Sequence, residues 1–386
     1  MSTRSVSPSR DGSMVPVATP PPPAAKAVAT TAPPVRGVYV PGEFEYQEAV
    51  TIGCAQLIRN FPQVFVNLVR AIHRHVRVIC LVNQEDEMLG RVLLSAGEIA
   101  PDAVEFLRLP SVSMWSRDWS PLSGFDKDGK RRFLAFELRH LRTSADTGIR
   151  PELARLFDSP VIDVPLTHEG GNILCNGDGL CLTSTTVLLK NAARNFDAQK
   201  IGEVLGEYFG VKQWAYLDPL SGEATGHIDL FCTFVDVDKV VVAEADPKTD
   251  AANAAQLNRV ADILSSVTTS RGPMQVHRVP LPDANDGKYR SYTNLLFANG
   301  AVVVPLYPDI DDAMDRRALA LFKELLPDRD VVGLDISELS VLGGGLHCLT
   351  SNIVAATRTE EAAGPPEPDP EDGSSTPVET AGVMTA

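Results

Sequence analysis

The chain has 386 residues, 44% hydrophobic and 22% charged, which is enough apolar material for a sizeable core and too much for a wholly disordered or fibrous protein. Its formal net charge of −15 disfavours nucleic acid or an anionic membrane surface as the main partner, because both select positive surfaces. No run of about 18 apolar residues argues for a membrane-spanning helix. Six cysteines without paired spacing (Cys54, Cys80, Cys175, Cys181, Cys232, Cys348) argue against a disulfide framework or a Cys-x-x-Cys zinc site.

Residues 1–36 hold eight of the 29 prolines and carry a net charge of +3. Such a stretch populates extended conformers and builds no core, so it is expected to be a disordered tail. It lacks the apolar stretch of a secretory leader, which points to a cytoplasmic protein. Residues 37–357 form the expected folded domain, with a net charge of −12 that suits a cationic ligand or serves solubility. In chain order the helical patterns cover 61–75, 151–157, 199–209, 251–266 and 311–326. The apolar runs 76–82, 132–138, 186–190, 231–237, 239–245 and 301–307 read as strands. Helices and strands alternate, which makes the class α/β or α+β. One core of about 320 residues exceeds the usual limit of about 250–300, which favours a radial or repeated architecture, although no clean sequence repeat is visible. Residues 358–386 combine proline, small residues and a net charge of −6, and are expected to be a second disordered tail.

Four segments place reactive side chains beside glycine or aromatic residues: "MWSRDWSPLSG" (114–124), "HEGGN" (168–172), "TGHIDLF" (225–231) and "GGGLHCLTSN" (343–352). Three glycines ahead of Cys348 permit close approach of a substrate. The thiol is then a candidate nucleophile or, alternatively, a buried structural cysteine. His227 and Asp229, two apart, share a face if extended, as acid/base machinery, half of a metal site or the polar edge of a strand. Asp118 between Trp115 and Trp119 suits a planar cation, since carboxylate and ring faces both favour positive charge, although tryptophan loops also serve packing. Glu169 is a further acid, or the acid of a turn. Two carboxylates could clamp a guanidinium while Cys348 attacks its central carbon and His227 moves protons.

These motifs, in this order, resemble the agmatine deiminase and bacterial (Porphyromonas-type) peptidyl-arginine deiminase family over roughly residues 37–353. "WSRDWSP", "EGGN", "TGHIDLF" and "GGGLHC" are similar to its signature segments, as are "LLKNAARNF" (188–196) and "SYTNLLFANGAVVVPLY" (291–307). The resemblance implies the pentein fold, a five-bladed α/β propeller formed by a single domain. It implies Cys348 as nucleophile, His227 as general acid/base, Asp118 and Asp229 as guanidinium anchors, Glu169 as the residue orienting His227, and Trp115 and Asn294 as substrate contacts. The implied reaction needs no metal or cofactor: a guanidino group becomes a ureido group with release of ammonia. The implied substrate is a small cationic guanidino compound or an arginine-containing peptide. Where agmatine deiminases carry Trp-Gly-Gly, this chain reads "FELRHLRTSAD" (136–146). Arg139 and Arg142 there are expected to meet a carboxylate, which tilts the expectation toward arginine, free or peptidyl. Amidinotransfer and a non-catalytic guanidinium-binding or scaffold role remain alternatives, and a homo-oligomer stays open.

Overall fold

The computed structural model describes residues 38–109, 113–138, 148–355 and 383–385. Among them, five sheets of three or four strands and one two-stranded ribbon carry the β structure. All five sheets contain the same unit: an antiparallel pair, a helix, and a third strand parallel to the second.

In chain order the first unit is Leu122–Phe125, Arg131–Glu137, helix Ile149–Leu156 and Val161–Thr167. The second is Ile173–Cys175, Leu180–Ser184, helix Ala198–Phe209 and Gln213–Leu217. The third is Cys232–Asp236, Lys239–Glu244, helix Ala251–Ser265 and Gln275–Pro280. The fourth is Leu296–Ala298, Ala301–Leu306, helix Asp312–Leu325 and Asp330–Asp335. The fifth joins the two ends of the domain. Thr350–Val354 pairs antiparallel with Gln47–Gly53, which is followed by helix Pro62–Ile72 and the parallel strand Arg77–Val82. Glu105–Arg108 extends this last sheet.

The middle strand of each unit is buried nearly throughout, and a strand covered on both faces reads as a continuous apolar run. That is why "FLAFE", "VVVA" and "AVVVPL" are legible as strands, and the outer strands Arg77–Val82 and Cys232–Asp236, also buried nearly throughout, read the same way. Side chains cap three of the crossover helices. Asp197 accepts from Lys200 N at 2.8 Å, Asp250 from Asn253 N at 3.0 Å, and Asp311 from Ala313 N at 2.8 Å.

Two expectations change. The run 186–190 is not a strand but part of helix Thr186–Asn191. Val187 and Asn191 are buried one turn apart, whereas Leu189 between them is 79% exposed, a helical pattern. Within the stretch expected to be the acidic tail, Val383–Thr385 adds an antiparallel edge strand to Gln213–Leu217.

Candidate active site

Each unit is entered through a short turn, and these turns carry the polar motifs. They are Ser116–Trp119, Gly170–Asn172, Ile228–Leu230, the segment 291–295 and Leu346–Leu349, which lead into the first through fifth units. Polar contacts tie the five turns into a ring. Gly171 N donates to Asp118 Oδ1 at 3.1 Å, and His227 Nε2 lies 3.5 Å from Glu169 Oε2. Thr293 Oγ1 donates to Asp229 O at 3.0 Å, Asn294 Nδ2 to Cys348 Sγ at 3.2 Å, and Ser116 Oγ to Leu349 O at 2.7 Å. The topology thus delivers residues from all five units to one place.

His227 precedes a turn, and Asp229 lies within it; they meet through that turn rather than by strand alternation. His227 Nδ1 is 3.6 Å from Asp118 Oδ1. Burial works against its protonation, but Asp118, Glu169 and Asp229 prevail and hold its pKa at about 9. Glu169 also pairs with Lys190. Burial pushes its carboxyl up, but His227 and Lys190 outweigh that and hold it at about 2. Burial, joined by Asp229 and Glu169, raises Asp118 against the opposing pull of His227.

Gly171 faces the centre of this group. A Cβ there would stand 2.6 Å from His227 Nδ1, 2.9 Å from Asp118 Oδ1 and 3.1 Å from Asp229 Oδ2. The Cys348 thiol, 8% exposed, lies 3.6 Å from Asp229 Oδ2. Burial pushes its pKa up, as do Asp229 and Asp118, so without a cationic ligand it rests as the thiol. Asp229 Oδ1 is buried with no hydrogen-bond partner among the described residues.

A cavity of about 320 Å³ opens beside Asp118 and His227 and is also lined by Trp115, Trp119, Glu169 and Lys190. Cys348 and Asp229 are not part of its lining; Asp118, His227 and the bare backbone of Gly171 connect the two. The glycines before Cys348 serve a different purpose from the expected one. A Cβ on Gly344 would meet the Trp115 indole at 2.5 Å and one on Gly345 the Asn294 carboxamide at 2.5 Å, so they seat these two side chains. Gly343 alone needs a left-handed conformation, with φ of 80°.

All the sequence-derived site residues that are described, namely Cys348, His227, Asp118, Asp229, Glu169, Trp115 and Asn294, fall in this region. Arg139 and Arg142 lie outside the described residues. Four polar residues escaped the sequence reading of the site. Lys190 lies in the run misread as a strand, and Arg117 and His347 stand inside the motifs beside more conspicuous neighbours. Glu43 comes from a segment without any motif, yet it accepts from His347 Nε2 at 2.8 Å and pairs with Arg117. No group of three or more His, Cys, Asp or Glu among the described residues is placed to hold a metal ion, and no helix there is long and apolar enough to cross a membrane.

The model of the Porphyromonas-type peptidyl-arginine deiminase family matches residues 39–353. The chain belongs to that family. It is therefore a guanidino-group hydrolase by membership, with the pentein fold. A Shewanella baltica protein named as a candidate agmatine deiminase is 26% identical over 366 residues, which span 84% of this chain and 96% of that protein. A solved structure of a candidate arginine deiminase from Porphyromonas gingivalis is 27% identical, with a TM-score of 0.70 over 82% of this chain and 97% of its own. The agmatine deiminase of Enterococcus faecalis, 20% identical, matches in fold with a TM-score of 0.72 over 83% and 97% of the two chains.

Proposed function

We propose that this deiminase hydrolyses the guanidino group of arginine, free or peptide-borne, or of agmatine, with Cys348 as nucleophile. The observation that carries the reading is the convergence of one thiol, one imidazole held near pKa 9 and two carboxylates around the backbone of Gly171.

Asp118 and Asp229 are acceptors suited to the N–H groups of a planar guanidinium, and the free Oδ1 of Asp229 is one of them. The arriving cation offsets the two acids that hold the thiol proton, so substrate binding itself favours the thiolate, with that proton released to solvent. Sulfur then attacks the guanidinium carbon to give a tetrahedral adduct. Collapse breaks one C–N bond, and imidazolium His227 gives its proton to the departing ammonia. Neutral His227 next takes a proton from water, whose oxygen adds to the S-bound carbon. Release of the thiolate leaves the ureido product. Glu169 holds the ring for both transfers, Asn294 holds the sulfur, and Trp115 covers the cavity wall. Lys190, in the same wall, is paired with Glu169 and helps to keep that carboxylate ionised. Arg139 and Arg142 belong to the same proposal as contacts for a substrate carboxylate. The six free thiols support a cytoplasmic enzyme.

Incubation with arginine, a C-terminal-arginine peptide and agmatine should yield ammonia and ureido product from at least one, and Cys348→Ser should yield neither. Turnover by that variant, or no product from any of the three, overturns the reading. A new guanidino product on addition of an amine would convert it to amidinotransfer.

A further inference from the structure

Beside the nucleophile lies a polar cluster for which the hydrolytic scheme has no task. His347 is 4% exposed, and both its ring nitrogens are engaged. Nδ1 stands 2.7 Å from Asp229 Oδ2, and Nε2 stands 2.8 Å from Glu43 Oε2. An ionised carboxylate only accepts hydrogen bonds, and an imidazole that donates from both nitrogens is the cation. Arg117 fixes this arrangement from behind: it pairs with Glu43, donates from Nη2 to Asn352 Oδ1 at 2.7 Å and from Nε to His347 O at 3.4 Å.

We propose that His347 is a positioning residue held as an imidazolium, which clamps one oxygen of Asp229 and, through that shared oxygen, offsets the negative charge facing the Cys348 sulfur. The inference rests on Cys348 being the nucleophile. Asp229 Oδ2 is shared between His347 and the sulfur, so its charge is offset where the thiolate must form. Asp229 Oδ1 is thereby aimed elsewhere and keeps its capacity for a substrate N–H. The charged groups facing the ring are Asp229, Glu43 and Arg117. Burial and Arg117 oppose the proton, but Glu43 and Asp229 outweigh them and raise the pKa of His347. Burial also raises the Glu43 carboxyl, but Arg117 and His347 bring it down to about 2, so Glu43 stays an acceptor.

Two measurements test this. In the full chain, 15N-labelled at histidine, His227→Gln removes the other ring expected to be charged. One doubly protonated ring should persist in its NMR spectrum at pH 7.5, and a spectrum with only neutral rings overturns the proposal. This arm needs no substrate, so it stands even if no guanidino compound is turned over. In His347→Gln, alkylation of Cys348 by iodoacetamide, followed by mass spectrometry across pH, should be about tenfold slower at pH 8, the equivalent of one unit in thiol pKa. Its kcat/KM should fall at least about tenfold. A merely structural role would lower Tm and leave the alkylation profile in place, and that outcome in a folded variant also overturns the assignment.

Discussion

Burial alone would strip His227 of its proton, since an imidazole 6% exposed has little hydration left to stabilise its charge. The three carboxylates around it reverse that outcome, with consequences beyond catalysis. Its folded pKa of about 9 exceeds the ordinary 6.5, so its contribution to stability is complete below pH 6.5 and is lost as pH rises through 9. Glu169 and Glu43, lowered from 4.5 to about 2, contribute above pH 4.5 and lose that contribution as pH falls to 2. From these three groups, Tm should be flat between about pH 4.5 and 6.5 and decline on either side. In His227→Gln the alkaline decline should be shallower by differential scanning calorimetry, and an unchanged alkaline limb would remove the three acids as the cause. The sequence revealed the residues of this cluster only where a motif framed them. His227, Asp118 and Glu169 stand beside glycine or tryptophan, and Asp229 lies two positions from His227, whereas Glu43 acts on partners 74 and 304 positions away, a separation no local pattern records.

At the scale of the element, the turns matter more than the strands they introduce. Two glycines separate the demands a turn can make. Gly171 has an ordinary backbone, but its missing Cβ leaves room between His227, Asp118 and Asp229. Gly343 has φ of 80° and nothing within 4 Å of where a Cβ would stand. Gly171→Ala should therefore fold with its CD spectrum intact and lose at least about a hundredfold in kcat/KM, because displacement of reacting groups by 1 Å costs on that order. Gly343→Ala should cost about 1–2 kcal/mol of stability and leave kcat within a few-fold. Equal losses of kcat/KM in the two variants would show that backbone strain, not the crowded Cβ position, governs this region. The turns also explain what the sequence reading misjudged. The two-residue spacing of His227 and Asp229 fits a strand as well as a turn. The run 186–190 has strand-like composition, and only its one-turn spacing of buried Val187 and Asn191 identifies a helix. Asn191 anchors that helix by donating to Thr167 O and Val187 O, each at 2.9 Å, contacts with no sequence signature.

Across the whole molecule, five copies of one topology arise from segments without a visible repeat. Burial demands only an apolar middle strand and an amphipathic crossover helix, which many unrelated residues satisfy, so geometry repeats where sequence does not. What recurs in the sequence is the entry turns, at intervals of about sixty residues, and each holds different chemistry because each contributes a different group to the common centre. The fifth unit adds a constraint the other four lack, since its antiparallel pair joins Gln47–Gly53 to Thr350–Val354 across the length of the domain. The ring of turns closes only if this pair forms, because Leu346–Leu349, with Cys348, leads directly into its C-terminal strand. Two shortened chains distinguish the domain from its ends. A chain of residues 38–355 should keep Tm within a few degrees and retain ureido production, since it lacks only the three-residue edge strand Val383–Thr385 among the described pairings. A chain of residues 54–355 keeps Asp118, Glu169, His227, Asp229, Asn294 and Cys348 but removes the middle strand of the fifth unit. It should show no cooperative thermal transition and no turnover. Cooperative melting of the second chain would mean that four units suffice to hold the ring, and that the junction of the two chain ends is dispensable to the fold.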